Sequence, residues 1–362
     1  MKKDIVFLTE SMVGAGGVVR VITTWANYFS THGYKCKIIS VVKGEPYFPL
    51  HEGIQFKIKT FFFKWKLLSL PLNLLAIIPI LKECKNSILV VNKSAYIEPI
   101  YILRKLGLFK DIQLVYFSHG GNAEFELFYM SRLFTRHRVK MIFSVFDNVV
   151  CLFKNTDTTP ECVIDEKITF IANPCPLEIY KRDLSQENKT VSFIGRVTKE
   201  KGVDTLIKSW KKIESEHPDW KLSIIGDGKD KTNFITLASE LNLRNISFLP
   251  STNDISKYLK ETTISVLPSL FEGMPMSIIE ARSQGCALVS TSTNGGIKLI
   301  DNLKNGLLVN INDTYDLTEK INQLITDKNL RNALILQGYD DALNYDIQVI
   351  VNNWKGILGH DL

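Results

Sequence analysis

The feature that most constrains this chain is an alternation, run through twice, of short β-branched stretches and spacers long enough for helices. In the first run the stretches are Ile5–Leu8, Cys36–Val42, Ile88–Val91, Ile112–Phe117 and Val149–Leu152. Strands joined by helical crossovers pair in parallel, so the pattern predicts a doubly wound α/β sheet. At Phe170-Ile171-Ala172-Asn173-Pro174-Cys175-Pro176 two prolines forbid a continuous helix or a central strand, and the crossing between two domains is placed there. The alternation then restarts with Val191–Ile194, a helical stretch from Val203, Leu222–Ile225, Ile246–Phe248, Ile264–Val266 and Leu288–Ser290. A length of 362 residues agrees with two such domains, 1–172 and 173–344. In the tail, Ile347, Ile350, Val351, Trp354 and Leu358 have helical spacing and predict a final amphipathic helix within 345–362, packed back on the first domain.

Composition narrows the class. Hydrophobic residues at 45% and charged residues at 23% exclude a disordered or fibrous chain. Cys36, Cys84, Cys151, Cys162, Cys175 and Cys286 form no CxxC pair and have no histidine at metal-ligand spacing, which points to a reducing compartment. The apolar run at the start ends at Glu10 and reads as a strand rather than a signal peptide. The longest apolar stretch, Leu67 to Leu81, is shorter than the ~20 residues of a spanning helix and contains Pro71, Asn73 and Pro79. A cytoplasmic protein is therefore expected. Its charge of +6 is unevenly spread: Lys57, Lys59, Lys64, Lys66, Lys82 and Lys85 face one acid, Glu83, around Phe61, Phe62, Phe63 and Trp65. Arg132, Arg136, Arg138 and Lys140 stand among Phe128, Tyr129, Met130, Leu133 and Phe134. Two readings stay open, an anionic membrane surface or buried helices with a solvated basic edge.

The segment richest in chemistry is Pro268-Ser269-Leu270-Phe271-Glu272-Gly273-Met274-Pro275-Met276-Ser277-Ile278-Ile279-Glu280-Ala281. It leaves a strand through a Gly/Pro loop and enters a helix, the place where open parallel sheets bind ligands. With a helix beginning near Met276, Glu280 lies about one turn inside it, and the helix N-terminus favours an anion. Glu272 and Glu280 can then bind different hydroxyls of one ligand. In the first half, Gly14-Ala15-Gly16-Gly17-Val18-Val19-Arg20 lies between strand and helix, where glycine lets backbone N–H groups approach an anion; a plain tight turn is the other reading. It is not a dinucleotide fingerprint, because Val19 takes the third glycine's place. Ser118-His119-Gly120-Gly121 follows a strand, so His119 is either a ligand contact or a structural histidine. No Asp-x-Asp metal motif stands at a strand end, and no bound metal or cofactor is expected.

Glu272 and Glu280 within Ser-Leu-Phe-Glu-Gly-Met-Pro…Glu-Ala-Arg-Ser-Gln-Gly resemble the hallmark of glycosyltransferase family 4, whose members have the GT-B fold. The resemblance extends to Phe193-Ile194-Gly195-Arg196-Val197-Thr198-Lys199-Glu200-Lys201-Gly202-Val203-Asp204, to Ile224-Ile225-Gly226-Asp227-Gly228 and to Asn305-Gly306-Leu307-Leu308-Val309, in order and nearly without gaps from Val191 to Val309. The first half is less diagnostic. Its glycine loop is similar to the family's, but Val18 and Val19 replace the usual Ala-Glu before Arg20 and leave an acid's role at position 19 unfilled.

The resemblance implies two facing Rossmann-like domains with a cleft between them, 1–172 for the acceptor and 173–344 for a nucleotide-sugar donor. It gives Arg196 and Lys201 the donor diphosphate, a role that agrees with two cations at a strand end. Glu280 would receive the ribose hydroxyls, and Glu272 with the Gly273, Met274 and Pro275 backbone the transferred sugar. Gly16, Gly17, Gly195 and Gly226 would line the donor, and His119 would contact its sugar or position the acceptor. The implied reaction is retaining transfer of a hexose or N-acetylhexosamine from a nucleotide diphosphate donor, uridine-linked, to a growing or lipid-linked glycan of the capsule or O-antigen type. Its implied partners are that donor, that acceptor and the inner leaflet of the membrane, with no nucleic acid. A non-catalytic sugar-nucleotide binder and a GT-B epimerase or phosphorylase are the alternatives.

Overall fold

The first strand, β1 (Ile5–Thr9), reads Ile-Val-Phe-Leu-Thr with every side chain buried. A parallel strand covered by helices on both faces needs such a run, in place of the alternation of a half-solvated strand. The computed structural model of the protein describes residues 2–60, 70–119, 141–153 and 165–359. Phe61–Phe63, Lys64, Trp65 and Lys66, Gly120 and Gly121, the basic and aromatic residues from Phe128 to Lys140, and Cys162 lie outside the described residues.

The chain divides into two compact units: Met1–Gly14, Val18–Ala172 and Ile350–Leu362 form one, and Ala15–Gly17 with Asn173–Val349 the other. In the first, β1, β2 (Cys36–Ser40), β3 (Gln55–Ile58), β4 (Ile88–Val91), β5 (Gln113–Phe117), β6 (Asn148–Cys151) and β7 (Ile168–Phe170) form a sheet in the order β3-β2-β1-β4-β5-β6-β7. In the second, β8 (Thr190–Ile194), β9 (Lys221–Ile225), β10 (Ile246–Leu249), β11 (Ile264–Leu267), β12 (Ala287–Thr291) and β13 (Leu307–Val309) take the order β10-β9-β8-β11-β12-β13. Every neighbouring pair in both sheets is parallel. Each sheet therefore winds outward from its first strand, then returns to that strand's other side. The reversal falls between β1 and β4 in one unit and between β8 and β11 in the other, and there the loops leaving the strands diverge and open a crevice.

The helices follow from apolar spacing. Helix α1 (Gly17–Thr31) buries Val21, Ile22, Trp25, Ala26 and Phe29 on one face. Helix α2 (Leu70–Lys82) lies between β3 and β4, and α3 (Ile97–Lys105) between β4 and β5. In the second unit α4 (Val203–Glu216) buries Val203, Leu206, Ile207, Trp210 and Ile213, a stripe one turn apart throughout. It is followed by α5 (Lys231–Glu240), α6 (Ile255–Glu261), α7 (Met276–Ser283), α8 (Asn294–Leu299), α9 (Thr314–Thr326) and α10 (Lys328–Ala342).

The tail differs from the single helix expected of it. It is a chain of short pieces, an α-helical turn α11 (Ile347–Ile350), a 3-10 turn Val351–Trp354 and a further α-helical turn α12 (Lys355–Leu358). Ile350, Val351, Trp354 and Ile357 are nevertheless all buried, because the turns keep one face directed at the first sheet's helical layer. Trp354 is 0% exposed and meets the rings of Trp25 at 5.3 Å, Phe29 at 5.4 Å and Phe117 at 6.1 Å, each edge to face. The Gln113 side-chain amide donates to the Ile357 carbonyl at 2.7 Å and fastens the end. Replacing Trp354 with alanine removes a fully enclosed indole from this cluster and is expected to cost ~3–5 kcal/mol, read as a shift in denaturant midpoint. A loss below about 1 kcal/mol would mean that the tail does not stabilise the first unit.

Candidate functional site

At the reversal of the second sheet, two loops meet because glycine lets them. Gly202, at the N-cap of α4, has φ of 65°, and a β-carbon there would lie 2.0 Å from the carbonyl oxygen of Pro268. Gly226, after β9, has φ of 147°, and a β-carbon there would stand 1.9 Å from the Gly195 carbonyl. Any side chain at either position would push the loops after β8, β9 and β11 apart. The Leu270 amide donates to the Glu200 carbonyl at 3.0 Å and ties the β8 and β11 loops together. Lys231 donates to the carbonyls of Gly226 and Leu249 and to Asp227, all within 3.0 Å, and stiffens the β9 loop. Its bond to Asp227, with the Ser251 amide, holds the pKa of that carboxyl down at about 2.

This knitted edge carries the charged groups. Lys201 Nζ stands 2.6 Å from Glu272 Oε1, and the Ser269 hydroxyl donates to the same oxygen at 2.6 Å. Glu272 is 8% exposed, so the pair is largely out of water, where an unpartnered charge is costly. Among the described residues no hydrogen bond reaches Glu272 Oε2, which leaves that oxygen able to accept from a ligand hydroxyl. The loop backbone is fixed as well: Gly295 donates to the Glu272 carbonyl at 2.9 Å, and the Asn173 side-chain amide to the Met274 carbonyl at 3.2 Å. Arg196 is exposed at the end of β8 and has no ion pair with any described residue. Glu280, 5% exposed, lies in the second turn of α7.

The helix starts differ in their caps: the Thr293 hydroxyl caps α8, and α5, behind Asp230, has no side-chain cap bond. Helices α6, α9 and α10 are capped by the carboxylates of Asp254, Asp313 and Asp327, which accept from backbone N–H groups of the first turn. Helices α4 and α7, which begin at the reversal point, have Gly202 and Pro275 as N-caps and no side-chain cap bond. The Ile278 N–H donates to the Pro275 carbonyl at 3.3 Å, and no side chain takes up the other first-turn N–H groups, which suits an anionic ligand.

The structure thus brings Gly195, Arg196, Lys201, Gly226, Glu272, Gly273, Met274 and Pro275 to one edge of the second sheet, with Glu280 one turn along α7. Gly16 is half-exposed ahead of α1, and Gly17 opens that helix. Val19 is buried in the face of α1, and Arg20 lies over the Phe48 ring at 4.5 Å. His119 belongs to the first unit, two residues beyond β5, with Nε2 2.8 Å from Asn92 Oδ1 and its ring 4.5 Å from that of Phe117. Desolvation pulls its pKa down to about 4, so the ring is neutral near pH 7. Sequence reasoning missed Ser269, Asn173 and Asn92. Their one visible signal was a polar residue directly after an apolar run. Among the described residues no three His, Cys, Asp or Glu side chains gather as metal ligands, and no helix is long and apolar enough to cross a membrane.

Residues 178–341 match the family model of glycosyl transferases group 1. The match covers the loops after β8, β9 and β11 but stops short of Asn173 and of the first unit's residues. The chain is also 29% identical over 364 residues to an uncharacterized glycosyltransferase of Haemophilus influenzae, covering 98% of this chain and 100% of that one. It is 30% identical over 178 residues to N,N'-diacetylbacillosaminyl-diphospho-undecaprenol alpha-1,3-N-acetylgalactosaminyltransferase of Campylobacter jejuni, 49% of this chain and 46% of the other. Among solved structures, that of HepE from Anabaena in complex with UDP and glucose superposes with a TM-score of 0.75 at 16% identity, over 99% of this chain and 100% of that one. The fold is GT-B.

The Lys201–Glu272 pair makes a thermodynamic prediction. Lys201→Ala, Glu272→Ala and the double variant, unfolded by denaturant, should give a coupling energy of ~1–3 kcal/mol. Glu272→Ala should be the more harmful single change, because the half-buried Lys201 ammonium then has no described partner, whereas Glu272 keeps Ser269 when Lys201 is lost. Additive single effects would show that the two side chains do not interact in solution.

Proposed function

We propose that the chain is a retaining glycosyltransferase that moves a hexose or N-acetylhexosamine from a nucleotide diphosphate sugar, uridine-linked, to a hydroxyl of a lipid-linked or growing glycan in cell-surface polysaccharide synthesis. The observation that carries this reading is the Lys201–Glu272 pair between two uncapped helix starts at the reversal of the second sheet. It offers cationic and N–H donors for a diphosphate beside a carboxylate oxygen for a sugar hydroxyl. Arg196 and Lys201 bind the diphosphate and stabilise the charge that grows on it as the anomeric C–O bond breaks. Glu280 binds the ribose hydroxyls, and Glu272 Oε2 with the Gly273–Pro275 backbone orients the sugar. The acceptor hydroxyl attacks from the face the diphosphate leaves, and its proton passes to the departing phosphate oxygen. No protein nucleophile and no metal is required. The similarity to a transferase whose name specifies a diphospho-undecaprenol acceptor supports the lipid-linked class.

A screen of nucleotide sugars for release of free nucleotide, with and without added glycan lipid, tests the proposal. Turnover with one donor is expected, and Arg196→Ala or Lys201→Ala should reduce it by ~10²-fold or more with the fold intact. Binding of a donor without turnover would favour a sugar-nucleotide-binding protein instead. Activity within about threefold of the parent in both variants would remove these cations from the mechanism.

The same reading includes peripheral attachment at the cytoplasmic face of the membrane. Lys57 on β3 and Lys59, which follows the strand's end, both engage Glu83, at 2.8 and 2.7 Å, which spends part of the basic charge within the protein. What supports attachment is α2: Leu72 is 63% and Leu75 67% exposed, on the side that also carries the exposed Pro79 and Lys82. Sedimentation with anionic vesicles at low salt, reversed at ~1 M salt where screening is short-ranged, is the expected result. Leu75→Glu should abolish it. Protein that remains in the supernatant with anionic vesicles at low salt would overturn the attachment.

A further inference from the structure

Asn92 directly follows the apolar strand β4 at the reversal of the first sheet and is 8% exposed. Its backbone N–H donates to the Leu8 carbonyl of β1 at 2.9 Å. Its side-chain amide nitrogen donates to the carbonyls of Leu8 at 3.3 Å and Val90 at 3.1 Å. Those two carbonyls can only accept, so they fix which end of the amide is nitrogen and turn Oδ1 the other way, to within 2.8 Å of His119 Nε2. A carbonyl oxygen likewise only accepts, so Nε2 must carry the hydrogen. The ring is neutral near pH 7, with desolvation the whole cause of its lowered pKa. Lys93, the residue after Asn92, pairs with Glu10 at 2.7 Å. Nδ1 therefore keeps its lone pair, and among the described residues no group bonds to it.

We propose that Asn92 is a positioning residue that holds His119 as the neutral Nε2–H tautomer, and that His119 Nδ1 is thereby a fixed hydrogen-bond acceptor for a substrate hydroxyl. A carboxylate in place of Asn92 would draw a second proton onto the ring and turn Nδ1 from acceptor to donor. An alanine would leave Nε2–H without its partner. The identity of the hydroxyl, one belonging to a sugar, rests on the transferase reading; the tautomer does not. The two can fail separately.

The test uses the full chain labelled with ¹⁵N-histidine, the His119 ring signals being identified by their loss in His119→Gln. In the parent at pH 7 the spectrum should show a protonated, slowly exchanging Nε2 and an unprotonated Nδ1. Asn92→Ala should lose the Nε2–H cross peak to exchange with water, while the remaining histidines report an unchanged fold. Asn92→Asp should raise the His119 titration midpoint by about one unit or more. With the donor found by the nucleotide-sugar screen, turnover by Asn92→Asp should fall about tenfold for each pH unit below that new midpoint, over a range in which the parent stays flat. A protonated Nδ1 in the parent at pH 7, or an Asn92→Ala spectrum identical to the parent's, would overturn the proposal. If Asn92→Asp does not fold, the alanine variant and the parent spectrum decide it. A correct tautomer in a protein that turns over no donor would leave Asn92's positioning role standing and remove the sugar hydroxyl.

Discussion

Parallel pairing is the constraint on which the rest of this structure depends. Because every strand in each sheet points the same way, all carboxyl ends of one sheet lie along one edge, and the loops that leave them share that edge. The reversal of winding at β8 and β11 then separates two of those loops and leaves helix starts facing a common opening. Residues 71 positions apart, Lys201 and Glu272, become an ion pair for this reason alone. The first sheet repeats the geometry at β1 and β4, where Asn92 bonds to the backbone of both strands and then to His119.

Close backbone approach converts that crowded edge into a site. Gly202 and Gly226 admit carbonyl oxygens where a β-carbon would stand, so main-chain contacts pin the β8, β9 and β11 loops to one another alongside the Lys201–Glu272 pair. The helix caps differ as well, with aspartates satisfying helices α6, α9 and α10 and only Gly202 and Pro275 at the helices that begin beside Glu272. A carboxylate cap at either position would compete with any anionic ligand for the same N–H groups.

The strands that sequence reading finds and those it misses differ physically. Runs such as Ile88–Val91 and Ile264–Val266 are central, buried on both faces, and hence continuously apolar. Strands β3, β7 and β13 are edge or terminal members: Gln55–Ile58 is mostly exposed, and the other two are three residues long. With one neighbour and less cover, they need neither length nor an unbroken apolar run. The charge of the Lys57–Lys85 segment is over-counted for a similar reason. Counting residues treats each lysine as free, whereas Lys57 on β3 and Lys59 just after it both pair with Glu83.

The sequence by itself determined the α/β class, the strand-loop-helix setting of Glu272 and Glu280, and the glycines that the β8, β9 and β11 loops require. All of these are local: apolar periodicity, proline and glycine stereochemistry, and short motifs act within a few residues of chain. Only the tertiary structure decided which oxygen of Glu272 is occupied, that Ser269 and Asn173 hold its loop, and that Asn92 dictates the proton on His119. Asn173 lies a hundred and one positions before Met274, and Ser269, though three before Glu272 on the same loop, reaches its carboxylate only through the path that loop takes. Hydrogen-bond direction depends on where atoms stop after the sheet has wound, and no spacing along the chain records that.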